Sequence, residues 1–219
     1  MEHTIESTNK RVVIISGGDV DEQLLQYIED TDYIIGADRG ALTLIKHGFV
    51  PDLALGDFDS VQEEQLAQIK QVSKHFNSCD PIDKNYTDTE LALQHALSMN
   101  PRSILLIGAT GTRMDHTLAN IHLLRIALEK QVPMTIIDQH NRIQLLNSRL
   151  DIQHEGYKYV SLLPLSLEVH GIELEGFAYP LHHASLTIGQ SLGISNLLIE
   201  QTGTITITDG LLLVIASKD

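Results

Sequence analysis

Short apolar runs alternate with amphipathic stretches along most of the chain, and this alternation limits the possible folds more than any other feature. RVVIISGG and DYIIGAD have the continuous apolar character of buried strands, whereas GALTLIKHGF and VQEEQLAQIK place apolar residues at helical spacing. Repeated strand–helix units imply a parallel sheet covered by helices. The pattern therefore predicts a Rossmann-like α/β fold for the first two-thirds of the chain.

The helical spacing disappears after the first two-thirds, and short strand-like runs replace it. YKYVSLLPL, LLIEQ and the strictly alternating TITIT are such runs, and glycines punctuate this segment at turn-like intervals. We expect antiparallel strands here. The predicted fold class is α/β, with a Rossmann-like parallel-sheet domain over residues 1–146 and a small all-β, sandwich- or barrel-like domain over residues 147–219.

The chain is strongly acidic, which restricts its partners. Its 219 residues include 29 Asp and Glu against 15 Lys and Arg, giving a formal net charge of −14. A nucleic-acid backbone would be repelled over most of such a surface, so we expect no nucleic-acid partner. A small anion such as ATP can still bind, because a metal ion, helix N-termini and local cations act at close range.

Cysteine usage and hydropathy indicate the compartment. Cys79 is the only cysteine, so an intrachain disulfide is impossible and no second thiol accompanies it as a zinc ligand. The N-terminal MEHTIESTNKR lacks an apolar signal core, and no apolar run approaches the roughly 20 residues that cross a bilayer. We expect a cytoplasmic protein without a membrane partner.

Aspartates follow several of the predicted strands. Asp38 comes after DYIIGA, Asp57 and Asp59 come after LALG, and Asp115 follows the strand SILLI and its glycine-bearing loop. In open α/β sheets, ligands bind at the carboxyl ends of the strands. The sequence therefore predicts a polar site that draws on several strand ends.

The pair Asp57 and Asp59 is the sharpest local signal. Alternate residues of an extended segment point the same way, which would bring the two carboxylates onto one side. Mg²⁺ is commonly held by one or two carboxylates together with substrate phosphates. The alternative is structural, because Asp59 or Ser60 could cap the helix predicted over VQEEQLAQIK.

A helix is predicted to begin at the segment TDTE. Thr87 and Glu90 form a capping-box pattern, in which each side chain can satisfy a backbone donor of the other residue. Asp88 in the first turn complements the helix dipole, so it has a structural role in its own right. Its functional role depends on lying beside the strand end that carries Asp57 and Asp59.

The loop over residues 108–116 (GATGTRMDH) is a glycine-bearing turn between a strand and a helix. Its backbone N–H groups can face phosphate oxygens, although it is neither a Walker loop nor a dinucleotide fingerprint. Arg113 offers several donors for phosphate, and an ion pair with Asp115 explains it equally well. His116 and Asn120 share a helix face, where hydrogen bonding at the helix start is the simpler interpretation.

Five ordered segments resemble the thiamin pyrophosphokinase family. They are ADRGA at 37–41, PDLALGDFDS at 51–60, DKNYTDTELAL at 83–93, GATGTRMDHTLAN at 108–120 and GISN at 193–196. The resemblance implies an ATP-dependent transferase of thiamine diphosphate biosynthesis, which moves the β,γ-diphosphate of ATP to the hydroxyl of thiamine and releases AMP. It also implies a Mg²⁺ requirement and a homodimer with sites near the subunit interface.

The resemblance also implies roles for single residues and for the two domains. It makes residues 1–146 the catalytic domain that binds ATP and metal, and residues 147–219 the thiamine-binding and dimerisation domain. Catalysis and metal binding fall to Asp57, Asp59 and Asp88, and thiamine binding to Ser195 and Asn196. The residues implied to contact ATP are Asp38, Lys84, Thr87, Arg113, Asp115, His116 and Asn120.

The aromatic partner of thiamine is left open, because the chain has no Trp. Tyr157, Tyr159, Phe177 and Tyr179 lie in the β-rich part and could stack on the substrate. Aromatic residues in strands are nevertheless more often part of a core.

Two other functions compete with this one. A haloacid-dehalogenase-like phosphatase also uses an Asp-x-Asp pair, but that pair normally follows the first strand, whereas the first strand here ends in SGGDVDE. The other is a non-catalytic sensor of nucleotide or thiamine that has lost turnover. The intact set of acidic residues speaks against a sensor.

Overall fold

The computed structural model describes residues 9–78 and 85–219. Within these ranges the chain divides into two compact units, the first ending at Gln139 and the second comprising His140–Asp219. No helix in the described ranges is both long and apolar enough to span a membrane.

The first unit is an α/β layer of alternating strands and helices. Its strands and helices are β1 (Arg11–Ile15), α1 (Glu22–Leu25), β2 (Tyr33–Ala37), α2 (Arg39–Lys46), β3 (Leu53–Gly56), α3 (Glu63–Val72), β4 (His75–Ser78), α4 (Asp88–Ser98), β5 (Ser103–Ile107), α5 (Met114–Glu129) and β6 (Met134–Ile137). The strands pair in parallel in the order β4-β3-β2-β1-β5-β6. The predicted Rossmann-like fold is confirmed.

This strand order creates a crevice at one point of the sheet. The chain builds outward from β1 through β2 and β3 on one side, and from β1 to β5 and β6 on the other. The connections that follow β1 and β5 therefore lead to opposite sides of the sheet, and such a switch point is where open α/β sheets bind ligands. The central strands β1 and β5 are apolar after their first residue, and Val13, Ile15 and Ile107 are completely buried.

Glycines let α2 pack directly on the sheet. A Cβ added to Gly40 would lie 1.9 Å from the backbone oxygen of Ile15, and one added to Gly36 would lie 2.4 Å from Cα of Ala41. Both distances are below any real Cβ contact, so only glycine allows β1, β2 and α2 to approach this closely. The turn between β2 and α2, which carries Asp38, is fixed by this packing.

The second unit consists of antiparallel strands. They are β7 (Asn141–Leu146), β8 (Arg149–Gln153), β9 (Tyr159–Pro164), β10 (Glu168–Glu175), β11 (Ala184–Thr187), β12 (Thr202–Thr206) and β13 (Leu212–Ser217). They pair in the orders β7-β13-β9 and β11-β10-β12-β8. One apolar cluster contains residues of both groups, including Val160, Ile172 and Val214, so the predicted sandwich-like architecture is confirmed.

One detail of the prediction is corrected, and the domain boundary between 146 and 147 stays a prediction. Residues 141–146 form β7, which pairs with β13 from Asn141↔Ser217 to Leu146↔Leu212, so the division into compact units falls a few residues earlier, after Gln139. The predicted strand LLIEQ is wrong, since residues 197–201 contribute only an isolated bridge between Phe177 and Leu198. The backbone N–H of Ile199 instead donates to the carbonyl of Gly176, as in a connecting loop.

Candidate active site

The loop after β3 is anchored by the side chain between its two aspartates. Phe58 is 4% exposed and stacks on Phe76 with ring centroids 5.0 Å apart. Its φ of 57° lies in the left-handed region, so the segment is a turn and not the extended strand assumed from the sequence. The backbone N–H of Asp59 donates to Oδ1 of Asp57 at 3.2 Å, which closes this turn.

Neither Asp59 nor Ser60 caps α3. That helix begins at Glu63, and its N-cap is Gln62, whose backbone N–H donates to Oε1 of Gln65 at 3.0 Å. The structural alternative for the Asp57–Asp59 motif is therefore wrong.

Asp38 lies beside this loop in an unusual backbone conformation. Its φ is 48° and its ψ is −121°, and its backbone N–H donates to the carbonyl of Leu55 at 2.9 Å. Oδ2 accepts a hydrogen bond from Oγ of Ser60 at 2.6 Å, while Oδ1 is buried without a hydrogen-bond partner among the described residues. Burial raises the pKa of Asp38, and the charges of Asp88 and Asp57 add to this effect against the opposing hydrogen bonds from Ser60 and Arg39.

The carboxylates of Asp38, Asp57 and Asp59 converge. Each offers one oxygen, and these oxygens all lie within 4.8 Å of one another. Like charges at such distances repel, and a buried carboxylate oxygen without a donor is costly. A hard divalent cation with oxygen ligands would relieve both penalties, so the donor set fits Mg²⁺ or a similar ion.

Asp88 supports the group from the N-terminus of α4. Its Oδ1 accepts a hydrogen bond from the backbone N–H of Asp57 at 3.3 Å. Thr87 caps the same helix, since its hydroxyl accepts from the backbone N–H of Glu90 at 3.2 Å, as the sequence predicted. The structure thus places Asp38 within the converging group and Asp88 against the backbone of its loop.

A cavity of about 430 Å³ lies at the switch point of the sheet, and Asp38 and Asp88 line it, whereas Asp57 and Asp59 do not. Five of the predicted ATP contacts line this cavity, namely Asp38, Thr87, Arg113, His116 and Asn120. Lys84 falls outside the described residues, and Asp115 does not line the cavity. The loop over residues 108–112, predicted from the sequence to face phosphate, also lines the cavity. Further lining residues were missed from the sequence, and they are Ser16, Gly17, Gly18, Asp19, Ala37, Arg39, Thr89 and Thr117.

The loops after β1 and β5 meet through glycines. The backbone N–H of Gly18 donates to the carbonyl of Gly108 at 2.9 Å, and a Cβ on Gly18 would approach that carbonyl oxygen to 2.4 Å. Gly108 has a φ of 71°. The pair Gly17–Gly18 could have been identified as site residues from the sequence alone, because it directly follows a buried strand next to the predicted switch point.

The loop after β5 is held by Asn120, which the family resemblance assigns to ATP, and by Thr110. Asn120 is buried, and its Nδ2 donates to the carbonyl of Ala109 at 2.7 Å. Oγ1 of Thr110 donates to Oδ2 of Asp138, which follows β6, at 2.9 Å. These bonds fix the glycine-bearing loop at the edge of the cavity.

Arg113 and Asp115 form a two-point ion pair. The Nη2 and Nε atoms of Arg113 lie 2.5 and 3.2 Å from Oδ2 and Oδ1 of Asp115, and both side chains are exposed. The hydrogen bonds from Arg113 lower the pKa of Asp115 from its ordinary value of 3.8 to about 2. The pair uses two of the five N–H donors of Arg113, so the guanidinium retains donors for a phosphate.

We expect Arg113→Gln to raise the pKa of Asp115 from about 2 toward 3.8, because the guanidinium that favours the ionised form is removed. Because the pKa of Asp115 is lowered in the folded protein, the Arg113–Asp115 pair stabilises the fold fully at pH values above the ordinary pKa of Asp115. This stabilisation is lost as the pH falls through the lowered pKa. Carboxyl-carbon NMR titration measures the midpoint. Arg125→Gln, which breaks an exposed pair with Glu129, is the control and should leave Asp115 unchanged. An unmoved midpoint in Arg113→Gln would refute the assignment.

The predicted thiamine contacts lie in the second unit. Ser195 has a φ of 59°, and its backbone N–H donates to Oγ of Ser161 at 3.0 Å. Asn196 is 7% exposed, and its amide bonds both backbone groups of Tyr179, with Nδ2 2.7 Å from the carbonyl oxygen and Oδ1 3.1 Å from the nitrogen. Asn196 therefore holds the turn that carries Tyr179.

The aromatic candidates separate by burial. Tyr157 and Phe177 belong to the apolar cluster of the second unit, with 9% and 4% exposed. Tyr179 is 64% exposed beside the Asn196 amide. Among the four aromatic residues considered, Tyr179 thus presents the most accessible ring for stacking.

An open parallel sheet whose strand ends bring carboxylates to a glycine-lined cavity is typical of enzymes that bind metal-complexed phosphates. Comparisons with known proteins identify the family. Residues 24–136 match the family described as Thiamin pyrophosphokinase, catalytic domain, and residues 147–212 match Thiamin pyrophosphokinase, vitamin B1 binding domain. The chain belongs to the thiamin pyrophosphokinase family.

Individual relatives agree over nearly the full length. The curated thiamine pyrophosphokinase of Bacillus subtilis (strain 168) is 36% identical, covering 96% of this chain and all of the relative. The crystal structure of thiamine pyrophosphokinase from Bacillus subtilis matches with a TM-score of 0.89 at 36% identity, over 96% of this chain and 100% of the other. The structure from Geobacillus thermodenitrificans matches with a TM-score of 0.86 at 34% identity, over 95% and 98% of the two chains.

Proposed function

We propose that the protein transfers the β,γ-diphosphate of ATP to the hydroxyl of thiamine, giving thiamine diphosphate and AMP. The observation that carries this proposal is the convergence of Asp38, Asp57 and Asp59 beside the cavity at the switch point. Diphosphate transfer needs positioning and neutralisation of oxygen charge more than covalent work by the protein. Family membership supports the choice of substrates.

The first unit is proposed to hold ATP. Backbone N–H groups of the loops after β1 and β5, together with Arg113, are suited to phosphate oxygens. Lys84, His116 and Asp115 remain proposed nucleotide contacts. Asp38, Asp57 and Asp59 would hold Mg²⁺, with Asp88 beside them, and the ion when bound would neutralise charge on the transferring phosphates.

The proposed reaction is a displacement at phosphorus. The hydroxyl oxygen of thiamine forms a bond to the β-phosphorus, and the bond from this phosphorus to the oxygen bridging the α-phosphate breaks, so that AMP leaves with that oxygen. The hydroxyl proton passes to a carboxylate, for which Asp59 and Asp88 are the candidates. An acidic surrounding also favours the cationic thiazolium ring of thiamine.

The second unit is proposed to bind thiamine and to form the dimer. Ser195, Asn196 and Tyr179 supply the thiamine side, in agreement with the description of the matching family domain. Leu167, Ile188 and other apolar side chains of this unit are more than half exposed, and the backbone N–H of Ile188 donates to the carbonyl of Leu167. Such exposed apolar residues are typical of an interaction surface.

We expect sedimentation to give twice the mass of one chain, because a homodimer would cover these apolar residues and bring the active sites near the subunit interface. Analytical ultracentrifugation at assay concentrations provides the measurement. Leu167→Glu should shift the chain toward monomer, while Asp30→Asn, at an exposed position of the first unit, should not. A fully active wild-type monomer would contradict the dimer proposal. We place the reaction in the cytoplasm, in accord with the single cysteine.

The test of the function is release of AMP from ATP that depends on both thiamine and Mg²⁺. We expect AMP and thiamine diphosphate in equal amounts. Binding of both ligands without AMP would favour the sensor, and inorganic phosphate with a covalent aspartyl-phosphate on Asp57 would favour the phosphatase. The position of the motif after β3, the third strand, already weighs against the phosphatase.

A further inference from the structure

We propose that Ser60 is a positioning residue of the metal site, whose hydroxyl holds the Asp38 carboxylate in the orientation in which it shares a cation with Asp57 and Asp59. This inference rests on the proposed metal-dependent function. Ser60 itself does not contact substrate in this proposal and acts only through the position of the Asp38 carboxylate.

The hydrogen bond between Ser60 and Asp38 is short, and it engages only one of the two carboxylate oxygens of Asp38. Oγ of Ser60 donates to Oδ2 of Asp38 at 2.6 Å, the distance expected for a charge-assisted bond to a carboxylate. The other oxygen, Oδ1, is buried and has no partner among the described residues. Ser60 therefore occupies one face of the carboxylate and leaves a buried oxygen for another ligand.

The Ser60 hydroxyl has no part in capping a helix. Ser60 precedes α3, whose N-cap is Gln62, so it does not terminate the helix. Its side chain bonds across 22 residues of sequence to the turn between β2 and α2. The bond thus joins the loop after β3 to the loop after β2, which are the two loops that supply the converging carboxylates.

Repulsion explains why Asp38 needs such a bond. One oxygen from each of Asp38, Asp57 and Asp59 lies within 4.8 Å of the others, and like charges at such distances repel, so an unrestrained Asp38 carboxylate would gain by rotating away. A hydroxyl donor holds Asp38 in place without adding a positive charge that would compete with the cation. Lys or Arg at position 60 would instead occupy the site as a counter-ion.

The test compares Ser60→Ala and Ser60→Thr in the full chain, with Mn²⁺ alone as the probe. Free Mn²⁺ is measured by electron paramagnetic resonance during titration. We expect Ser60→Ala to raise the Kd for Mn²⁺ by about tenfold, because a hydrogen bond to a charged group is lost. Ser60→Thr keeps the hydroxyl and should bind as the wild type does. Ser98→Ala is the control, because it removes another hydroxyl with a 2.6 Å hydrogen bond, to the carbonyl of His95, and neither residue lines the cavity.

The Mg²⁺ dependence of turnover in Ser60→Ala gives a second test of this role. Ser60→Ala should raise the Mg²⁺ concentration needed for half-maximal turnover and leave the KM for thiamine unchanged, whereas a general loss of folding would lower the active fraction without moving either constant. Unchanged Mn²⁺ affinity in Ser60→Ala, or equal weakening in Ser60→Thr, would overturn the role of Ser60 while leaving the proposed function intact. A wild-type protein that forms AMP but binds no Mn²⁺ at these carboxylates would overturn the metal site and the role of Ser60 with it.

Discussion

Asp57→Asn is expected to reduce kcat by about three orders of magnitude or more, because one of three converging carboxylates loses the charge that holds the cation against the polyphosphate. The fold should persist, since Phe58 and not Asp57 anchors the loop in the core. Removing one of several mutually repelling carboxylates should leave the free energy of unfolding unchanged or slightly higher. Steady-state AMP formation and urea denaturation measure the two effects.

The matched control for this substitution is Asp30→Asn. Asp30 is exposed and does not line the cavity, so its loss changes the net charge equally without touching the site. Activity close to that of the wild type is expected for it. If Asp57→Asn and Asp30→Asn were equally active, Asp57 would have no part in the reaction.

Gly40→Ala is expected to lower the free energy of unfolding by about 3 kcal/mol or more, the range of severe overpacking. The added Cβ would lie 1.9 Å from the backbone oxygen of Ile15 and 3.0 Å from that of Ser16, so α2 must move away from β1. Backbone atoms cannot rotate aside as a flexible side chain can. Urea denaturation monitored by circular dichroism measures the difference in the free energy of unfolding between Gly40→Ala and the wild type. An insoluble Gly40→Ala protein would also agree with the prediction.

Gly111→Ala is the control for packing. A Cβ at this position meets nothing within 4 Å, and Gly111 is not among the glycines with positive φ. Its effect on stability should be small, within about 0.5 kcal/mol. A Gly40→Ala protein as stable as Gly111→Ala would show that α2 does not pack on β1 as described.

The architecture could be predicted because its determinants are local in sequence. Strands such as RVVII and SILLI are continuously apolar after their first residue, and burial on both faces of a parallel sheet explains such runs. The boundary of the second unit could not be read in the same way. β7 belongs there because it pairs with β13, and that partner lies about 70 residues further along the chain, beyond any local pattern.

The site was predictable only in outline. The strand-end rule placed Asp38, Asp57 and Asp59 at one edge of the sheet, but the spacing of the Asp57–Asp59 pair suggested an extended segment, whereas Phe58 turns the chain through a positive φ. Whether Asp38 or Asp88 completes the group depends on distances of a few ångströms between loops. Sequence spacing does not encode such distances.

The sequence alone does not tell whether a polar side chain binds a ligand or fixes the backbone. Asn196 was predicted to contact thiamine, yet its amide bonds both backbone groups of Tyr179. Asn120 was predicted to contact ATP, and its amide bonds the carbonyl of Ala109. An amide that fixes a loop and an amide that binds a ligand have the same sequence signature, and only their hydrogen-bond partners separate them.

A crystal structure with Mn²⁺ and a nonhydrolysable ATP analogue tests most directly whether the three carboxylates share one ion with the polyphosphate. We predict an anomalous Mn²⁺ peak within coordination distance of Asp38, Asp57 and Asp59 and of a phosphate oxygen, with the nucleotide in the cavity between the loops after β1 and β5. A nucleotide bound elsewhere, or a Mn²⁺ peak away from these carboxylates, would contradict it.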